Sequence, residues 1–527
     1  MLQSRVWHLA GAGARPAAGL AAGLCLGVLA LGPGLRRGFL LSYDMVFVPR
    51  ESFQAALNLG GPPRAIPSDL VMTVAERVLP GDVVQKIVLL AIFALACGGA
   101  AALLRDAPLA ARLAAGVFYT WNPYVAERLI IGQWALLLGY AGLPWVLAAA
   151  LRRPLSWWRL TLAMLPAIVG GFEAMVITAL VLVPVTALRV RGRARDAAVV
   201  AGIFVAGCLP WLVPSLLHPV YEDPRAIAEF AARADTPFGS LGSLVMLGGT
   251  WNAQAVPSGY GGAWSVVWFA VVLAALAGYI LLARPSRRWP GLGIAAVAGL
   301  VIASLGITAA GRDLLRVASD AEPGFAVFRD GQQFTAPLAL AEAAGFGSAV
   351  TWLMRPRSQD PRSQDAASRL YSVLAVVVPV LLLPGLAWGA AGRLRPAWYP
   401  PGWLAAASYI DASPRPGSVL LLPWASYRRP AWNHGEALLD PWPRLLSRPV
   451  IWNDGTQVGS VALEPDYPAA QRLNAAISGT GVLTGLLRTA GVRFVVVDTA
   501  TVPGKRLAGC ATVLVSPGLV VYEVPGG

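Results

Sequence analysis

Leu41–Arg50, LSYDMVFVPR, comes a few residues after the first strongly apolar segment, Ala17–Leu35. An apolar run of that length spans a bilayer as a helix. The decapeptide therefore falls at the membrane–water boundary and opens a polar loop, with Asp44 inside it beside Tyr43. A carboxylate at that depth is expensive unless it is solvated, paired or used. Two readings stand: a catalytic base for chemistry on a lipid-carried substrate, or a solvated acid that follows a helix.

The rest of the chain supports the membrane setting. Of its 527 residues 56% are hydrophobic and only 13% charged, and mean hydropathy is +0.59. Soluble chains carry about a quarter charged residues. The net charge of +14 argues little for nucleic acid, because the basic residues punctuate apolar segments as topology signals do. Cys25, Cys97 and Cys208 lie in apolar segments and Cys510 stands apart, which gives no disulfide or thiolate framework. Three scattered histidines, His8, His218 and His434, argue against zinc. Arg5 and Arg15 before Ala17–Leu35 resemble a signal peptide, but without a convincing cleavage site the segment is expected to stay as an anchor.

Further candidate crossings are Val83–Leu104, Leu113–Trp121, Ala135–Leu151, Ala197–Leu217, Trp264–Leu282, Gly291–Ala310, Pro337–Met354 and Leu370–Ala390. Leu160–Leu188 is broken at Gly170–Gly171, which predicts two short paired helices with Glu173 near the outer turn. The total is about eleven crossings. Arginines (Arg105, Arg112, Arg152, Arg153, Arg191, Arg193, Arg284, Arg287, Arg288, Arg357 and others) collect on alternate loops. That pattern puts the N-terminus in the cytoplasm and the C-terminus outside, in a multi-pass plasma-membrane protein. In the first outer loop Ser68 looks like an N-cap, followed by Leu70, Val71, Val74 and Val78 at helical spacing. These predict a short amphipathic helix on the membrane surface. The repeat PRSQDPRSQD, Pro356–Asp365, is expected to be a solvated inner loop.

Near residue 392 the pattern changes. SVLLLPW (Ser418–Trp424), GVRFVVVD (Gly491–Asp498), ATVLV (Ala511–Val515) and LVVYEV (Leu519–Val524) predict strands, and Gln471–Ala490 a helix. The expected organisation is a helical membrane domain over 1–391 and an extracytoplasmic α/β domain over 392–527.

The informative charges are those on the outer side: Arg50, Glu127, Arg128, Glu173, Arg329 and Asp330. Arginines near a carboxylate suit a phosphate leaving group, because the guanidinium fork binds phosphate oxygens in pairs. The carboxylate then deprotonates an acceptor hydroxyl. The competing reading makes Glu127–Arg128 and Arg329–Asp330 structural ion pairs. Ser426, His434 and Asp440 come without a nucleophile elbow, so a hydrolase is not expected. Gly248–Gly249 and Gly259–Gly262 lack the strand–turn–helix context of a phosphate loop. Trp424, Trp432, Trp442 and Trp452 suit either sugar stacking or a small core.

A many-helix chain with a carboxylate in its first outer loop resembles the GT-C superfamily of polyprenyl-phosphate-sugar-dependent glycosyltransferases. TWNPYVAERLIIGQWALLLGYAGLPW (Thr120–Trp145) is similar to actinobacterial members, including the membrane part of mycobacterial arabinofuranosyltransferases. The resemblance covers residues 17–390 and is most specific at Tyr43–Asp44 and Asn122–Trp145. It implies a GT-C-like membrane domain, with Asp44 as the base and Arg329 as a donor-phosphate contact. Relatives often carry a second acidic residue near the first loop. Here only Asp69 and Glu76 are candidates, and neither lies in a motif, which leaves a divalent metal open and no cofactor assigned.

The expectation is transfer of a sugar, arabinofuranose or mannose, from a polyprenyl phosphate to a cell-envelope glycan or protein at the outer face. Asp44 acts as base, Arg50, Arg128 and Arg329 hold phosphate, and Tyr43, Asn122, Glu127, Gln133, Glu173 and Asp330 shape the sugar and acceptor site. The alternative is a transporter or assembly protein whose outer domain binds a glycan or partner.

Overall fold

The computed structural model describes residues 2–57, 65–189, 194–217, 223–283, 289–355, 361–458, 461–498 and 505–526. Arg191, Arg193, Arg284, Arg287, Arg288, Arg357, His218 and the first half of the 356–365 repeat lie outside the described residues. By internal contacts the chain forms two units. One holds Met1–Leu35, Lys86–Pro210 and Phe230–Leu394, the other Arg36–Gln85, Trp211–Glu229 and Arg395–Gly527.

The first unit is helical. Among the described residues five helices are long and apolar enough to cross a membrane: Ala17–Leu35, Gly81–Leu103, Phe172–Arg189, Ala194–Leu217 and Trp264–Ala283. Two bent pairs raise this to as many as seven, Leu292–Leu305 with Ala309–Ala321 at 95° and Leu370–Leu382 with Pro384–Gly392 at 64°. The protein is a multi-pass membrane protein. The expected eleven crossings are not all matched, because several segments form shorter helices, such as Leu109–Thr120 and Trp134–Ala150. The predicted break is present: Trp157–Gly170 and Phe172–Arg189 meet at Gly171, whose φ is +79°. Where the sequence suggests a loop after Ala310, the chain instead turns into the amphipathic helix Ala309–Ala321. Leu314 and Val317 are exposed on it.

The spanning helices bury small residues and expose large ones. Val205, Leu209 and Val213 on one helix, and Ile294, Val297 and Val301 on another, face outward. Gly207, Ala295 and Gly299 face inward. Lipid takes the place of water around such helices, so close backbone approach holds them together rather than apolar burial. Trp264–Gly278 and Ala336–Leu353 pack this way, and a Cβ on Gly345 would strike the backbone of Ala275 and Tyr279. Phe118 fills the space beside them, 5.2 Å from the Trp268 ring and 5.1 Å from Phe346.

The second unit joins the segment after the first apolar helix, Arg36–Gln85, to the C-terminal region. Strand β1 (Phe39–Leu40) pairs antiparallel with β2 (Pro396–Ala397). The main sheet uses β3 (Ser418–Leu422), β6 (Val450–Ile451), β9 (Val492–Asp498), β10 (Ala511–Ser516) and β11 (Leu519–Glu523) in the order β10–β11–β9–β3–β6. Strands β3, β6 and β9 are parallel, and β11 and β10 close the sheet antiparallel. Two small ribbons complete it, β4 (Tyr427–Arg428) with β5 (Leu438–Leu439) and β7 (Gln457–Val458) with β8 (Val461–Ala462). Leu420, Leu422, Ile451, Leu473, Ile477, Val495 and Val497 form its core. All four predicted strands appear. The predicted single helix Gln471–Ala490 is two, Pro468–Ser478 and Thr484–Thr489, because Gly479 and Gly481 interrupt it.

After the first apolar helix, the amphipathic helix is Ser68–Ala75, with Val71 and Val74 exposed and Met72 buried. Ser68 is its first residue and not its N-cap: the hydroxyl donates to the Ala65 carbonyl. Trp442 stacks on Trp403 at 4.9 Å, and Trp432 packs against Tyr399 and Trp403, so these tryptophans build the core.

Gly345→Ala should destabilise the helical unit by about 1–3 kcal/mol through overpacking. Gly485→Ala, where a Cβ meets nothing within 4 Å, should be neutral. Melting temperatures of the two variants in one detergent check this.

Candidate functional site

In the second unit Ser42–Met45 forms a tight turn, with the Met45 amide donating to the Ser42 carbonyl at 2.8 Å. Tyr43 and Asp44 are its central residues. Tyr43 has φ +44°, a left-handed conformation that an aromatic residue adopts at a cost of about 1–3 kcal/mol. The surroundings enforce it. The Tyr43 amide donates to the Ala437 carbonyl at 2.7 Å, and its own carbonyl accepts from the Leu439 amide at 2.8 Å. Asn433 Nδ2 donates to the Leu41 carbonyl at 3.1 Å. On this turn the Asp44 carboxylate accepts a hydrogen bond from the Tyr427 hydroxyl at Oδ1, 2.6 Å. Arg50 is exposed in the same unit.

Below the turn lies a buried acidic group. Arg444 Nε donates to Asp69 Oδ2 at 2.9 Å, Thr73 donates to Glu51 Oε2, and the Glu51 amide donates to Glu76 Oε2. Burial above all, and then the charge of Asp69, pushes the Glu51 carboxyl up to about 9. Burial likewise raises Glu76 to about 7. The two acids offered by the sequence as a second carboxylate, Asp69 and Glu76, thus have protein partners. Among the described residues no group of three or more His, Cys, Asp or Glu is arranged to hold a metal ion.

The first unit gathers most of the remaining predicted residues around Arg128. Asn122 caps the helix Pro123–Ile131: its Oδ1 accepts from the Val125 amide at 3.1 Å. Its Nδ2 donates to the Phe118 and Tyr119 carbonyls and to the Tyr140 hydroxyl. Proline at the first helical position suits this start, and Gly132, φ +88°, ends the helix. Arg128, fully buried, faces Asp330 through Nη1 at 2.7 Å and Nη2 at 3.0 Å. Its Nε donates to Gln332 Oε1 at 2.6 Å, its Nη1 also to Gln133 Oε1, and its Nη2 also to Gln332. A guanidinium has five N–H donors, and all five end on protein acceptors.

Gln332 Nε2 in turn donates to Glu127 Oε2 at 3.2 Å. Glu127 lies in the helix Pro123–Ile131, and its carboxyl is driven well up by burial and then by the charge of Asp235. Glu173, in the first turn of its helix, acts electrostatically on Tyr124 and Arg128. The Arg329 guanidinium lies over the Phe230 ring, 4.7 Å from its centroid.

Glu127, Arg128, Gln133, Asp330 and Gln332 therefore form one hydrogen-bonded network, with Asn122 at the start of the same helix and Glu173 an electrostatic neighbour. The buried ion pair is Arg128–Asp330, not the sequence neighbours first considered. Arg128 carries a protein carboxylate where a donor phosphate was expected, because a buried cation needs an anion of fixed geometry. Ser426, His434 and Asp440 form no triad: Asp440 pairs with buried Arg428, and His434 Nε2 lies 3.1 Å from the Pro396 carbonyl. Tyr427, Gln332, Asp235 and Glu51 escaped the sequence reading. Only the adjacency of Tyr427 to Arg428 and Arg429 in an otherwise apolar region marked the first of them.

No family model and no curated protein matches the chain. Among solved structures it superposes on the arabinofuranosyltransferase AftD from Mycobacteria with a TM-score of 0.53 at 16% identity, over 97% of this chain and 40% of AftD. The fold is that of the GT-C glycosyltransferases. A mutant of AftD gives a TM-score of 0.59, again at 16% identity, over 97% of this chain and 41% of that one. The chain thus spans about two fifths of the length of the AftD chains it matches. ArnT from Cupriavidus metallidurans, bound to undecaprenyl phosphate, aligns over 96% of this chain and 98% of its own at 13% identity, with a TM-score of 0.45 that carries no weight here. At these identities the likeness establishes the GT-C fold and not the chemistry.

Two predictions follow from the charges. Arg128→Ala leaves Asp330 buried without its cation and should cost about 3–5 kcal/mol, whereas Gln133→Ala, on a half-buried partner, should cost far less; thermal unfolding in detergent compares them. Glu51 and Glu76 are protonated in the folded unit at pH values where the unfolded chain has ionised them. Stability should therefore fall as pH rises from about 4.5 towards about 9. Glu51→Gln should flatten that slope, read as melting temperature against pH.

Proposed function

We propose that this protein is a membrane glycosyltransferase that passes a sugar from a polyprenyl-phosphate donor to a hydroxyl of a cell-envelope glycan or protein. The observation that carries the reading is the Asp44 carboxylate, presented on a strained turn of a chain with the GT-C fold. In this mechanism the acceptor hydroxyl attacks the anomeric carbon while Asp44 takes its proton. The bond from that carbon to the phosphate oxygen breaks, and polyprenyl phosphate leaves with the bonding electron pair. Attack opposite the leaving group inverts the anomeric carbon. General-base assistance of this kind is typically worth about 10²–10⁴ in rate.

Arg50 and Arg329 are the guanidiniums offered to the phosphate oxygens. Arg128 contributes by holding Asp330, Gln332 and Gln133 in place. The distribution of arginines supports an outer location for Asp44 and the C-terminal region and a cytoplasmic N-terminus. AftD is named an arabinofuranosyltransferase, which makes arabinofuranose the first sugar to test and mannose the second.

The test uses purified protein in nanodiscs with polyprenyl-phosphate arabinofuranose and mannose, following transfer to envelope acceptors and donor hydrolysis. Turnover of one donor that falls by about 10²-fold or more in Asp44→Asn is the expected result. Equal turnover in both proteins rejects Asp44 as base. Binding without turnover in either points instead to a transporter or assembly role.

A further inference from the structure

The C-terminal region is not a bystander to the Asp44 turn. Tyr427 donates its phenol hydroxyl to Asp44 Oδ1 at 2.6 Å across 383 residues of sequence. Its ring meets the Tyr43 ring edge-on, with centroids 5.8 Å apart at 63°. The next residue, Arg428, is buried and tied in two directions: Nε to Asp440 Oδ2 at 2.5 Å, and Nη1 to the Leu422 carbonyl at 3.4 Å. Nη1 also lies 3.8 Å from Asp498 Oδ2. Leu422 and Asp498 are the last residues of β3 and β9. Tyr427 is therefore fixed at the carboxyl ends of two parallel strands, where α/β sheets place the groups that meet ligands.

We propose that Tyr427 is a positioning residue for the Asp44 carboxylate, so that the C-terminal region supplies part of the catalytic turn. This rests on the reading of Asp44 as base. Backbone bonds from Ala437 and Leu439, with Asn433 on Leu41, already hold the turn to β5. What the phenol adds is control of the carboxylate itself. It fixes the plane of the group, and with it the direction of Oδ2. A distance of 2.6 Å is that of a hydroxyl donating to an ionised acceptor, and such a donor favours the charged, proton-accepting form.

The experiment uses full-length protein in nanodiscs with polyprenyl-phosphate arabinofuranose and mannose. In Tyr427→Phe, kcat should fall about 10-fold or more with the donor KM within about twofold. The acidic limb of the kcat–pH profile should move upward by about one unit as the donor to the carboxylate is lost. A second variant carries 3-fluorotyrosine at 427, a moderately stronger donor of nearly the same shape that stays protonated near neutral pH. It should move the limb downward, and it tests the idea even where Tyr427→Phe folds poorly. Unchanged kcat and an unmoved limb in either folded variant, while Asp44→Asn is inactive, overturn the positioning role and leave Asp44 as base. Activity retained in Asp44→Asn rejects the base reading itself.

Discussion

A guanidinium removed from water must have every one of its protons accepted, and Arg128 organises its unit around that requirement. Asp330 neutralises it in a fork-to-fork pair, while Gln332 and Gln133 take the remaining donors. The acceptors come from 202 to 204 residues further along the chain as well as five residues away. The short helix Pro123–Ile131 therefore cannot settle until the Asp330–Gln332 turn has arrived. Gln332 passes the constraint on to Glu127, and Asn122 ties the start of the same helix to Tyr140. An ion pair with this much built around it serves geometry more than net stability, since buried pairs replaced by apolar groups are often no less stable.

The sequence made the membrane character, the strand positions of the C-terminal sheet and the break at Gly171 legible, because each rests on a local pattern. Apolar length marks the spans, short β-branched runs mark β3, β9, β10 and β11, and paired glycines mark the break. The charges of the NPYVAER and FRDGQQ segments stood out in the sequence, since charge in an apolar chain is conspicuous. Their partners did not. Arg128 was matched with the adjacent Glu127, but helical geometry points neighbouring side chains in different directions. The carboxylate that fits was one place along from Arg329. Tyr427 gave almost no advance sign, because a tyrosine on a two-residue strand becomes informative only when the strand it packs on is known.

The same difference bears on the count of crossings. Hydropathy tells how apolar a segment is and not whether it runs straight. Leu292–Leu305 ends by turning through 95° into an amphipathic helix, and Leu370–Leu382 bends by 64° into the next. The signals at the bends are single residues that a hydropathy average does not register: Thr308 caps the helix after the first, and Pro384 and Gly385 follow Leu382 at the second.

The pairing of β1 with β2, and of the Asp44 turn with β4 and β5, has a consequence for how the chain is made. The segment that follows the first apolar helix acquires its partners only after residues 396 to 439 have been synthesised. At ordinary elongation rates it must wait about 20–70 s for them. Throughout that interval Phe39 and Leu40, buried in the folded protein, have not yet met β2. Contacts of such long sequence separation form late and slowly. The order of translation thus keeps the turn that carries Asp44 without its partners until residues 396 to 439 have emerged.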